Sequence, residues 1–372
     1  MTEVDLADWG ARRRRRFAPD RWGTLVCRAV WDETADMRSF FLTPQDGSRI
    51  EHASGQFMTF RIDTPEGRIE RCYTIASSAA RDGGIEITVK RQAGPGARWL
   101  HEMLVPGAEI EALGPSGRFG PATWHGSAYA LIAAGSGITP MLSILRTAAD
   151  RGLDLDVVLM QVVSTPQDLV ALTELDSLAR RLPRLVHLPT ITRGPGGTRP
   201  DADFLTRVMP DLATRTVLCC GPQPFMEMVR VAAQAAGVPD DRYGEESFDF
   251  SAPPPEALGG GDTPRRTVTF ARTGHAFECA ETTTILAALK QAGLPLPSSC
   301  ARGMCGTCKT FKHAGEVVMA HEGGIRQREI DLIPLHEREV GLLDCPRLEC
   351  LAQRPLGLEV LRHHHGARGV LV

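Results

Sequence analysis

The chain has 372 residues, of which 42% are hydrophobic and 23% charged, and its formal net charge is −3. This composition is typical of a globular protein with more than one domain, and the weak charge argues against a dedicated nucleic-acid-binding protein. No apolar run approaches the roughly 20 residues that a membrane-spanning helix needs, and the first residues lack the apolar stretch of a signal peptide, which predicts a cytoplasmic protein.

Residues 1–22 are polar and contain five consecutive arginines, Arg12 to Arg16. A charge run of this kind is most often a solvated segment. We therefore predict a flexible, arginine-rich tail, and the alternative is an arm that docks on an anionic partner.

Residues 23–124 are predicted to form a six-stranded antiparallel β barrel. Ile85, Ile87 and Val89 alternate with polar residues, and glycine and proline separate the segments. A period of two residues indicates strands with one face in a core. The expected strands lie near residues 24–31, 38–43, 56–62, 68–75, 84–91 and 109–113.

Residues 125–250 alternate apolar strands with helices, which predicts an α/β domain with a parallel sheet that is covered on both faces. The strands are expected at 129–134, 156–163, 185–188 and 216–220, and a helix is expected at about 139–149. A last helix is predicted to have Pro224 in its first turn and Gly237 just past its end, where these residue types are favoured.

Residues 251–264 combine a run of prolines with a run of glycines, which is typical of a linker. Residues 265–372 are then predicted to form a small α+β domain. It is expected to contain a hairpin at 267–271 and 275–279 and a helix at about 283–291. That helix should point Ile285, Leu286 and Leu289 into the core.

The cysteine loop Cys300-x4-Cys305-x2-Cys308 has the plant-type spacing of a [2Fe–2S] cluster. For the fourth ligand, Cys350 is favoured over Cys345. Cys350 precedes a predicted closing strand, whereas a proline follows Cys345 and would obstruct strand pairing. The alternative for this loop is a zinc site, but such sites favour paired C-x2-C knuckles, and the loop has a single one. The remaining thiols are predicted to be buried small hydrophobic groups: Cys27, Cys72, Cys219, Cys220 and Cys279.

Two strand-to-helix turns in the α/β domain are rich in glycine. Residues 135–140 read Gly-Ser-Gly-Ile-Thr-Pro and open a helix, and residues 220–222 read Cys-Gly-Pro. Backbone N–H groups at a helix N-terminus form a seat for a pyrophosphate. Both turns are expected at the carboxyl edge of the parallel sheet, where such folds bind ligands.

One strand of the predicted barrel carries Arg71, Tyr73 and Thr74. Arg71 and Tyr73 alternate to the same face, which suits a phosphate and a flat ring that lie close together. A second cradle is predicted at residues 94–100, where Gly96 frees the backbone and Arg98 supplies charge.

In this order, these motifs resemble the ferredoxin–NADP reductase superfamily with a C-terminal plant-type [2Fe–2S] ferredoxin domain. The arrangement is similar to oxygenase reductases, especially those serving Rieske demethylases of betaine-type quaternary amines. It is also similar to phthalate dioxygenase reductases and to the reductases of hybrid-cluster proteins. The resemblance covers about residues 24–362, and it implies the barrel, the α/β domain and a β-grasp ferredoxin domain in series.

The resemblance also implies roles for individual residues. Tyr73 is expected to pack on the flavin, Thr74 to approach its N5 atom, and Cys220 to contribute with them to catalysis. Phe248 is expected to cover the flavin, as an aromatic residue does in FAD-binding relatives. The implied contacts to the two dinucleotides are Arg71, Gly96, Arg98, Gly135, Gly137, Thr139, Pro140, Gly221 and Pro222.

The cofactor set implied in this way is FAD, a [2Fe–2S] cluster and NADH. FMN is an alternative because Ala97-Arg98 stands where FAD-binding members commonly have a serine or threonine. NADPH is disfavoured because Ser164-Thr165 stands where the family often places an arginine.

The functional hypothesis is that NADH gives hydride to the flavin, which passes single electrons to the cluster and on to a separate terminal oxygenase. Alternatives are a reductase for a cytochrome P450 or a hybrid-cluster protein, and a redox-sensing module without turnover. A self-sufficient oxygenase is disfavoured, because no Rieske Cys-x-His pair stands out in the sequence.

Overall fold

The structure is a computed structural model. It describes residues 15–19, 21–65, 67–117, 119–121, 128–248, 264–270, 274–294, 310, 316–319 and 368–371. The chain divides into two compact units, Met1–Asp249 and Phe250–Val372. Within these described ranges, none of the helices combines the length and the apolar character that crossing a bilayer requires.

The first sheet of the larger unit has six strands, and every neighbouring pair is antiparallel. They are β1 (Gly23–Asp32), β2 (Met37–Pro44), β3 (Phe57–Thr64), β4 (Gly67–Thr74), β5 (Ile85–Lys90) and β6 (Glu109–Ser116). Their order is β4-β3-β6-β1-β2-β5. An antiparallel bridge between Ile75 and Ile87 joins the two edges. The edges therefore meet, and the predicted six-stranded barrel is confirmed.

The alternation that predicted β5 is visible in its packing. Ile85, Ile87 and Val89 are buried in the barrel core, at 0%, 0% and 2% exposure. The same core receives Ala97 and Leu100 from helix α1 (Pro95–Met103), which has its proline in the first turn. The sequence predicted a glycine cradle at residues 94–100 but no helix. Glycine and proline at Gly94-Pro95 indicate a turn, and the amphipathic stretch that follows is too short to indicate a helix more strongly.

The barrel begins earlier than residue 23, where the sequence placed the end of the tail. Phe17 is buried in the barrel core, and its ring packs 2.5 Å from the position that a β-carbon on Gly23 would take. Arg16 forms an isolated bridge with Arg49 and an ion pair with Glu51 at 3.0 Å. Burial of a phenylalanine ring stabilises a chain segment strongly, so residues 15–17 belong to the barrel and not to a solvated tail.

The second sheet of this unit has five strands, all parallel, in the order β11-β10-β7-β8-β9. The strands are β7 (Ala128–Ala134), β8 (Asp156–Val163), β9 (Leu185–Ile191), β10 (Thr216–Cys220) and β11 (Tyr243–Glu246). The helices are α2 (Ile138–Asp150), α3 (Leu172–Arg181), α4 (Ala202–Val208) and α5 (Gln223–Ala235). The predicted parallel sheet is confirmed, and β11 is an additional edge strand.

Alternate residues of the parallel strands enter two separate cores. Leu131 of β7 packs in the core beneath α2 and α3, whereas Ile132 packs in the core beneath α4 and α5. Helices therefore cover both faces, as predicted. Gly237 has φ +85° just beyond α5, which is the left-handed conformation that suits glycine at a helix end.

In the smaller unit, β12 (Arg265–Thr269) and β13 (Ala276–Ala280) form the predicted antiparallel hairpin. Helix α6 (Ile285–Gln291) follows, with Leu286 and Leu289 buried and Ile285 packed against the same core. A parallel pair joins β14 (Glu316–Met319) to β15 (Arg368–Leu371). Residues 251–263 of the predicted linker, and all the cysteines assigned to the cluster, lie outside the described residues.

Candidate flavin and dinucleotide sites

The predicted flavin strand is β4, which lies at the edge of the barrel sheet beside β3. Tyr73 pairs with Met58 of that strand, and its ring is tilted by 50° against the ring of Phe60 at a centroid distance of 5.9 Å. Burial raises the pKa of the Tyr73 hydroxyl. The ring is thus held by its neighbours and the phenol stays neutral, which suits stacking on a flat cofactor.

The two predicted flavin cradles meet in space. A β-carbon on Gly96 would lie 2.9 Å from Cγ of Arg71 and 3.4 Å from the hydroxyl oxygen of Tyr73. A side chain at Gly96 would force Arg71 to shift, so the glycine is required by this close approach. Arg71 donates a hydrogen bond to the carbonyl of Glu70 at 2.8 Å, while Arg98 is exposed on α1. Two cationic side chains therefore flank the glycine.

Thr74 ends β4 and is 5% exposed. Its hydroxyl oxygen is buried and has no hydrogen-bond partner among the residues that the structure describes. Leaving a buried hydroxyl unsatisfied costs about 1–3 kcal/mol. A polar ligand group beside Thr74 would remove that cost. The close approach at Gly96 and the orphaned hydroxyl fit a flavin at this strand, and the individual flavin contacts stay predictions.

The first dinucleotide turn joins β7 to α2. Residues Gly135–Gly137 form a 3₁₀ turn, and Gly135 has φ +56°, which favours glycine. Among the described residues, no side chain caps the N-terminus of α2. The Thr139 hydroxyl donates to the Ser136 carbonyl at 3.1 Å, and Pro140 is buried in the first helical turn. Thr139 and Pro140 thus shape the turn, and its backbone N–H groups are the feature suited to an anion.

The second dinucleotide turn follows β10, the neighbour of β7, and the two turns touch. The carbonyl of Cys220 lies where a β-carbon on Gly137 would stand, and a β-carbon on Gly221 would lie 2.9 Å from Cβ of Ala134. Both turns therefore lie side by side at the carboxyl edge of the sheet, as predicted. Pro222 is the residue that precedes α5.

The Cys220 side chain lies within the core beneath α2. Burial raises the pKa of its thiol well above the ordinary value, so the thiol is neutral at physiological pH. The described contacts of Cys220 are thus made by its buried side chain and by its carbonyl against Gly137. A direct part of Cys220 in catalysis stays a prediction. Phe248, two residues beyond β11, packs against the same core, and its role as a flavin cover also stays a prediction.

The sequence reasoning missed an acidic residue at the carboxyl edge. The Asp168 carboxylate accepts hydrogen bonds from the backbone N–H and the hydroxyl of Thr165, at 2.8 and 2.9 Å. These contacts form a capping box after β8. The Thr-x-x-Asp spacing is the signal that would have identified it. The turn after β8, where Ser164-Thr165 stands in place of the arginine that the family often has, therefore holds an acidic side chain in a fixed position.

The described cysteines are all free thiols: Cys27, Cys72, Cys219, Cys220 and Cys279. All except Cys72 are buried, and Cys72 is half-buried, which largely confirms the prediction of buried small groups. The predicted cluster ligands Cys300, Cys305, Cys308 and Cys350, and the alternative Cys345, lie outside the described residues, so their roles stay predictions. Within the described part of the chain, no group of three or more metal-ligating side chains is found.

A closed antiparallel barrel with a tyrosine cradle, followed by a parallel sheet with two touching glycine turns, defines a flavin- and nicotinamide-dependent reductase module. Comparison with known families agrees. Residues 29–120 match the oxidoreductase FAD-binding domain family, and residues 131–231 match the oxidoreductase NAD-binding domain family. Residues 268–352 match the 2Fe-2S iron–sulfur cluster binding domain family. These matches confirm the predicted cofactor set of FAD, a nicotinamide dinucleotide and a [2Fe–2S] cluster.

Individual relatives cover more than four fifths of the chain. The stachydrine N-demethylase reductase subunit of Rhizobium meliloti (strain 1021) is 36% identical over 321 residues, which are 82% of this chain and 90% of that protein. The glycine betaine monooxygenase reductase subunit of Pseudomonas aeruginosa (strain UCBPP-PA14) is 32% identical over 326 residues, covering 82% and 88%. The structure of phthalate dioxygenase reductase aligns with a TM-score of 0.57 at 26% identity, covering 84% of this chain and 94% of that one.

The chain therefore belongs to the oxygenase reductases of the ferredoxin–NADP reductase superfamily, and its own [2Fe–2S] domain is C-terminal. It is an oxidoreductase of the electron-transfer type, as the sequence predicted. The [2Fe–2S] family match also confirms the predicted ferredoxin domain.

Proposed function

We propose that this protein takes electrons from NADH and delivers them, one at a time, through FAD and a [2Fe–2S] cluster to a separate Rieske-type oxygenase that demethylates a betaine-like quaternary amine. The names of two relatives, a stachydrine N-demethylase reductase subunit and a glycine betaine monooxygenase reductase subunit, support this acceptor. The observation that carries the proposal is at β4. There the side chains of Arg71 and Tyr73 lie close to Gly96. At the end of the strand, the buried hydroxyl of Thr74 has no hydrogen-bond partner among the described residues.

Nicotinamide donates electrons in pairs, whereas the cluster accepts them one at a time. FAD bound at β4 would connect the two, because a flavin can exchange electrons either in pairs or singly. The residues of the chain then have binding and alignment roles. Arg71 and Arg98 offer positive charge to phosphate groups, and the Tyr73 ring offers a stacking surface. The Thr74 hydroxyl offers a hydrogen bond in a buried place. No side chain needs to exchange a proton, so alignment is the contribution expected of the protein.

For the donor, the proposal is NADH in preference to NADPH. The Asp168 carboxylate, held by Thr165 at the end of β8, would repel a 2′-phosphate at this turn. The exposed Arg193 lies nearby, since its backbone N–H donates to the carbonyl of Ser164 at 2.9 Å. A preference for NADPH in steady-state assays would contradict the proposal.

The proposed location is the cytoplasm. The described cysteines, Cys27, Cys72, Cys219, Cys220 and Cys279, are free thiols, which supports a reducing compartment. Fractionation of the native host with antibody detection would test this, and recovery of the protein outside the cytoplasm would contradict it.

Electron transfer itself is tested with the purified full-length chain. We expect protein with the visible absorbance of both FAD and the cluster and with acid-labile sulfide, and NADH-dependent reduction of ferricyanide and of cytochrome c. With a Rieske oxygenase, dioxygen and stachydrine or glycine betaine, we expect release of formaldehyde from the N-methyl group that depends on both NADH and O2, with one oxygen atom leaving as water. Tight flavin with negligible NADH oxidation would support the redox-sensing alternative and overturn the proposal. Coupling to a cytochrome P450 or a hybrid-cluster protein, but not to a Rieske oxygenase, would overturn the proposed acceptor.

A further inference from the structure

One face of α2 is lined by hydrogen-bonding side chains at helical spacing, where residues three and four apart lie side by side. They are Ser143, Arg146, Thr147 and Asp150. All of them contact the segment of residues 76–81, which begins two residues after Thr74 of the flavin strand. We call this set of side chains the α2 polar face.

Two hydroxyl groups of the α2 polar face form direct hydrogen bonds to the segment of residues 76–81. The Ser143 hydroxyl donates to the carbonyl of Ser77 at 2.8 Å, and the hydroxyl of Thr147 accepts from the N–H of Ala79 at 2.8 Å. The Thr147 hydroxyl also donates to the Ser143 carbonyl of its own helix at 2.6 Å.

At the end of the helix, the Asp150 carboxylate accepts two hydrogen bonds from the Arg81 guanidinium, at 2.6 and 3.0 Å. The segment is thus fixed to the helix along its length.

Arg146 lies at the centre of the α2 polar face, with its side chain 9% exposed. Its guanidinium donates to the Ala76 carbonyl at 2.8 Å and to the Glu86 carboxylate of β5 at 2.7 Å. It also donates to both carboxylate oxygens of Glu174 on α3, at 2.8 and 2.7 Å. One planar cation therefore joins the barrel to two helices of the α/β domain, in the forked geometry that arginine has and lysine lacks.

The charges of Arg146 and Glu86 stabilise each other in a buried place. Burial raises the pKa of the Glu86 carboxyl, and Arg146 opposes that shift. Burial acts to lower the pKa of Arg146, but its hydrogen bonds to Glu174 and the charge of Glu86 outweigh burial and raise it. Loss of the guanidinium would leave Glu86 buried without a charge partner, which is strongly unfavourable.

The same helix also carries the first dinucleotide turn. Helix α2 begins at Ile138, directly after Gly137, which touches the carbonyl of Cys220. A helix rises about 1.5 Å per residue and is stiff over this length. The two dinucleotide turns at one end of α2 are therefore rigidly linked to the chain that leaves Thr74 at its side.

We propose that the α2 polar face, with Arg146 at its centre, is a positioning device that sets the spacing between the flavin strand and the two dinucleotide turns. It rests on the proposed function, since the spacing matters only if flavin and nicotinamide react there. Arg146, Glu86 and Glu174 act through the segment of residues 76–81, and they are positioning residues, not catalytic ones.

The test compares Arg146→Lys with Arg215→Lys in the full-length protein. Arg215 is an equally buried arginine, 8% exposed, with carboxylate partners Asp156 and Asp211 at 2.6 and 2.7 Å. It lies at the amino ends of β7, β8 and β10, the opposite edge of the parallel sheet, because it also contacts the Tyr129 and Asp156 carbonyls. Each substitution keeps the positive charge and removes the forked guanidinium. The two variants are therefore matched in the chemical change and in the burial of the replaced side chain.

Two readouts separate positioning from general stability. The first is hydrogen exchange of residues 76–81 in flavin-stripped protein, which does not depend on turnover. We expect faster exchange in Arg146→Lys and wild-type exchange in Arg215→Lys. The second is the rate of flavin bleaching by saturating NADH, per bound flavin. We expect a loss of about tenfold or more in Arg146→Lys, since small misplacements have large effects on rate, with the KM for NADH nearly unchanged.

The outcomes distinguish this proposal from the proposed function. Wild-type protein that NADH does not bleach would overturn the proposed function and this proposal with it. Normal wild-type bleaching, with Arg146→Lys unchanged or with Arg215→Lys affected equally, would overturn the positioning role alone. If Arg146→Lys does not fold, Glu174→Gln is measured instead, because Glu174 is 39% exposed and keeps the other Arg146 contacts. In Glu174→Gln we expect a smaller increase in the hydrogen exchange of residues 76–81 and a smaller decrease in the rate of flavin bleaching. The absence of both changes would overturn the proposal.

Discussion

The carbonyl oxygen of Cys220 occupies the place that a β-carbon on Gly137 would need. The contact joins the ends of two adjacent parallel strands, since Cys220 of β10 pairs with Ala133 of β7. The glycine is therefore required by the neighbouring backbone, and not only by the turn in which it lies.

We expect Gly137→Ala to separate the two dinucleotide turns and to lower NADH-dependent ferricyanide reduction by at least tenfold, with flavin content retained. Gly152→Ala is the control, because Gly152 has φ +62° but open space around it. That change should cost about 1 kcal/mol of stability and leave turnover intact. Equal turnover in both variants would contradict the steric argument.

Gly96→Ala is expected to displace Arg71, because the new methyl group would lie 2.9 Å from its Cγ, while the Tyr73 hydroxyl at 3.4 Å stays at normal contact distance. Flavin occupancy of the purified protein, read from the ratio of flavin to protein absorbance, should fall severalfold. Gly94→Ala is the comparison two residues away, where a β-carbon meets no atom within 4 Å, and it should lose less flavin. A larger loss in Gly94→Ala would refute the close-approach role of Gly96.

Thr74→Val should have opposite effects on the empty and the loaded protein. Removing a buried hydroxyl without a partner should leave the flavin-free protein unchanged or raise its free energy of unfolding by about 1 kcal/mol. Flavin affinity should fall. The matched control is Thr88→Val, since the buried Thr88 hydroxyl pairs with Ser39 at 2.8 Å and its loss should destabilise the flavin-free protein. Destabilisation of the flavin-free protein by Thr74→Val would show that its hydroxyl has a partner.

A pH dependence follows from Asp150. Its carboxylate accepts from Arg81 and from Arg181, and the hydrogen bond from Arg81 holds the pKa of Asp150 well below its ordinary value of 3.8. The unfolded chain takes up the proton first, so the stabilisation is complete above pH 3.8 and is lost as pH falls through the folded pKa.

We therefore expect Asp150→Asn to be less stable than wild type at neutral pH, by about 1 kcal/mol, since the partners Arg81 and Arg181 are 67% and 44% exposed. The difference should narrow as the pH falls below 3.8, the ordinary value for aspartate. Urea unfolding of both proteins across this range measures it. A difference that does not change with pH would mean that the charge of Asp150 contributes nothing.

The fourth cluster ligand is tested by substitution. We expect Cys350→Ser to lose the visible absorbance of the cluster and most of the bound iron, because a [2Fe–2S] cluster of this type needs four thiolates. Cys345→Ser should keep both. The reverse pattern would assign the ligand to Cys345. In either variant that loses the cluster, ferricyanide reduction through the flavin should persist while transfer to the oxygenase stops.

The sequence predicted those parts of the fold whose signal is local. The alternation at Ile85, Ile87 and Val89 located β5, and the apolar strands before the two glycine turns located the carboxyl edge of the parallel sheet. Phe17 was misassigned because the arginines before it dominate the local composition, while its burial depends on Gly23 and the distant barrel core.

The long-range relationships were not predictable in this way. Arg146 looks like any arginine on an amphipathic helix, and Glu86 looks like a solvent-facing residue of an alternating strand. Only the fold brings the two within 2.7 Å. Asp168 had a local signal, the Thr-x-x-Asp box, beside the Ser164-Thr165 pair that stands in place of an arginine. Local periodicity thus identifies elements, whereas contacts between domains require their packing.

The burial of Arg146 also determines how the enzyme should respond to ionic strength. Mobile ions screen exposed charges over about 10 Å at 0.1 M salt but reach buried pairs poorly, and both Arg146 and Glu86 are shielded, at 9% and 13% exposure. Added salt should therefore leave flavin reduction at saturating NADH nearly constant. Encounter with an acceptor protein depends on surface charge and should slow as salt rises. A salt titration of turnover thus reports the docking of the acceptor separately from the chemistry inside the reductase.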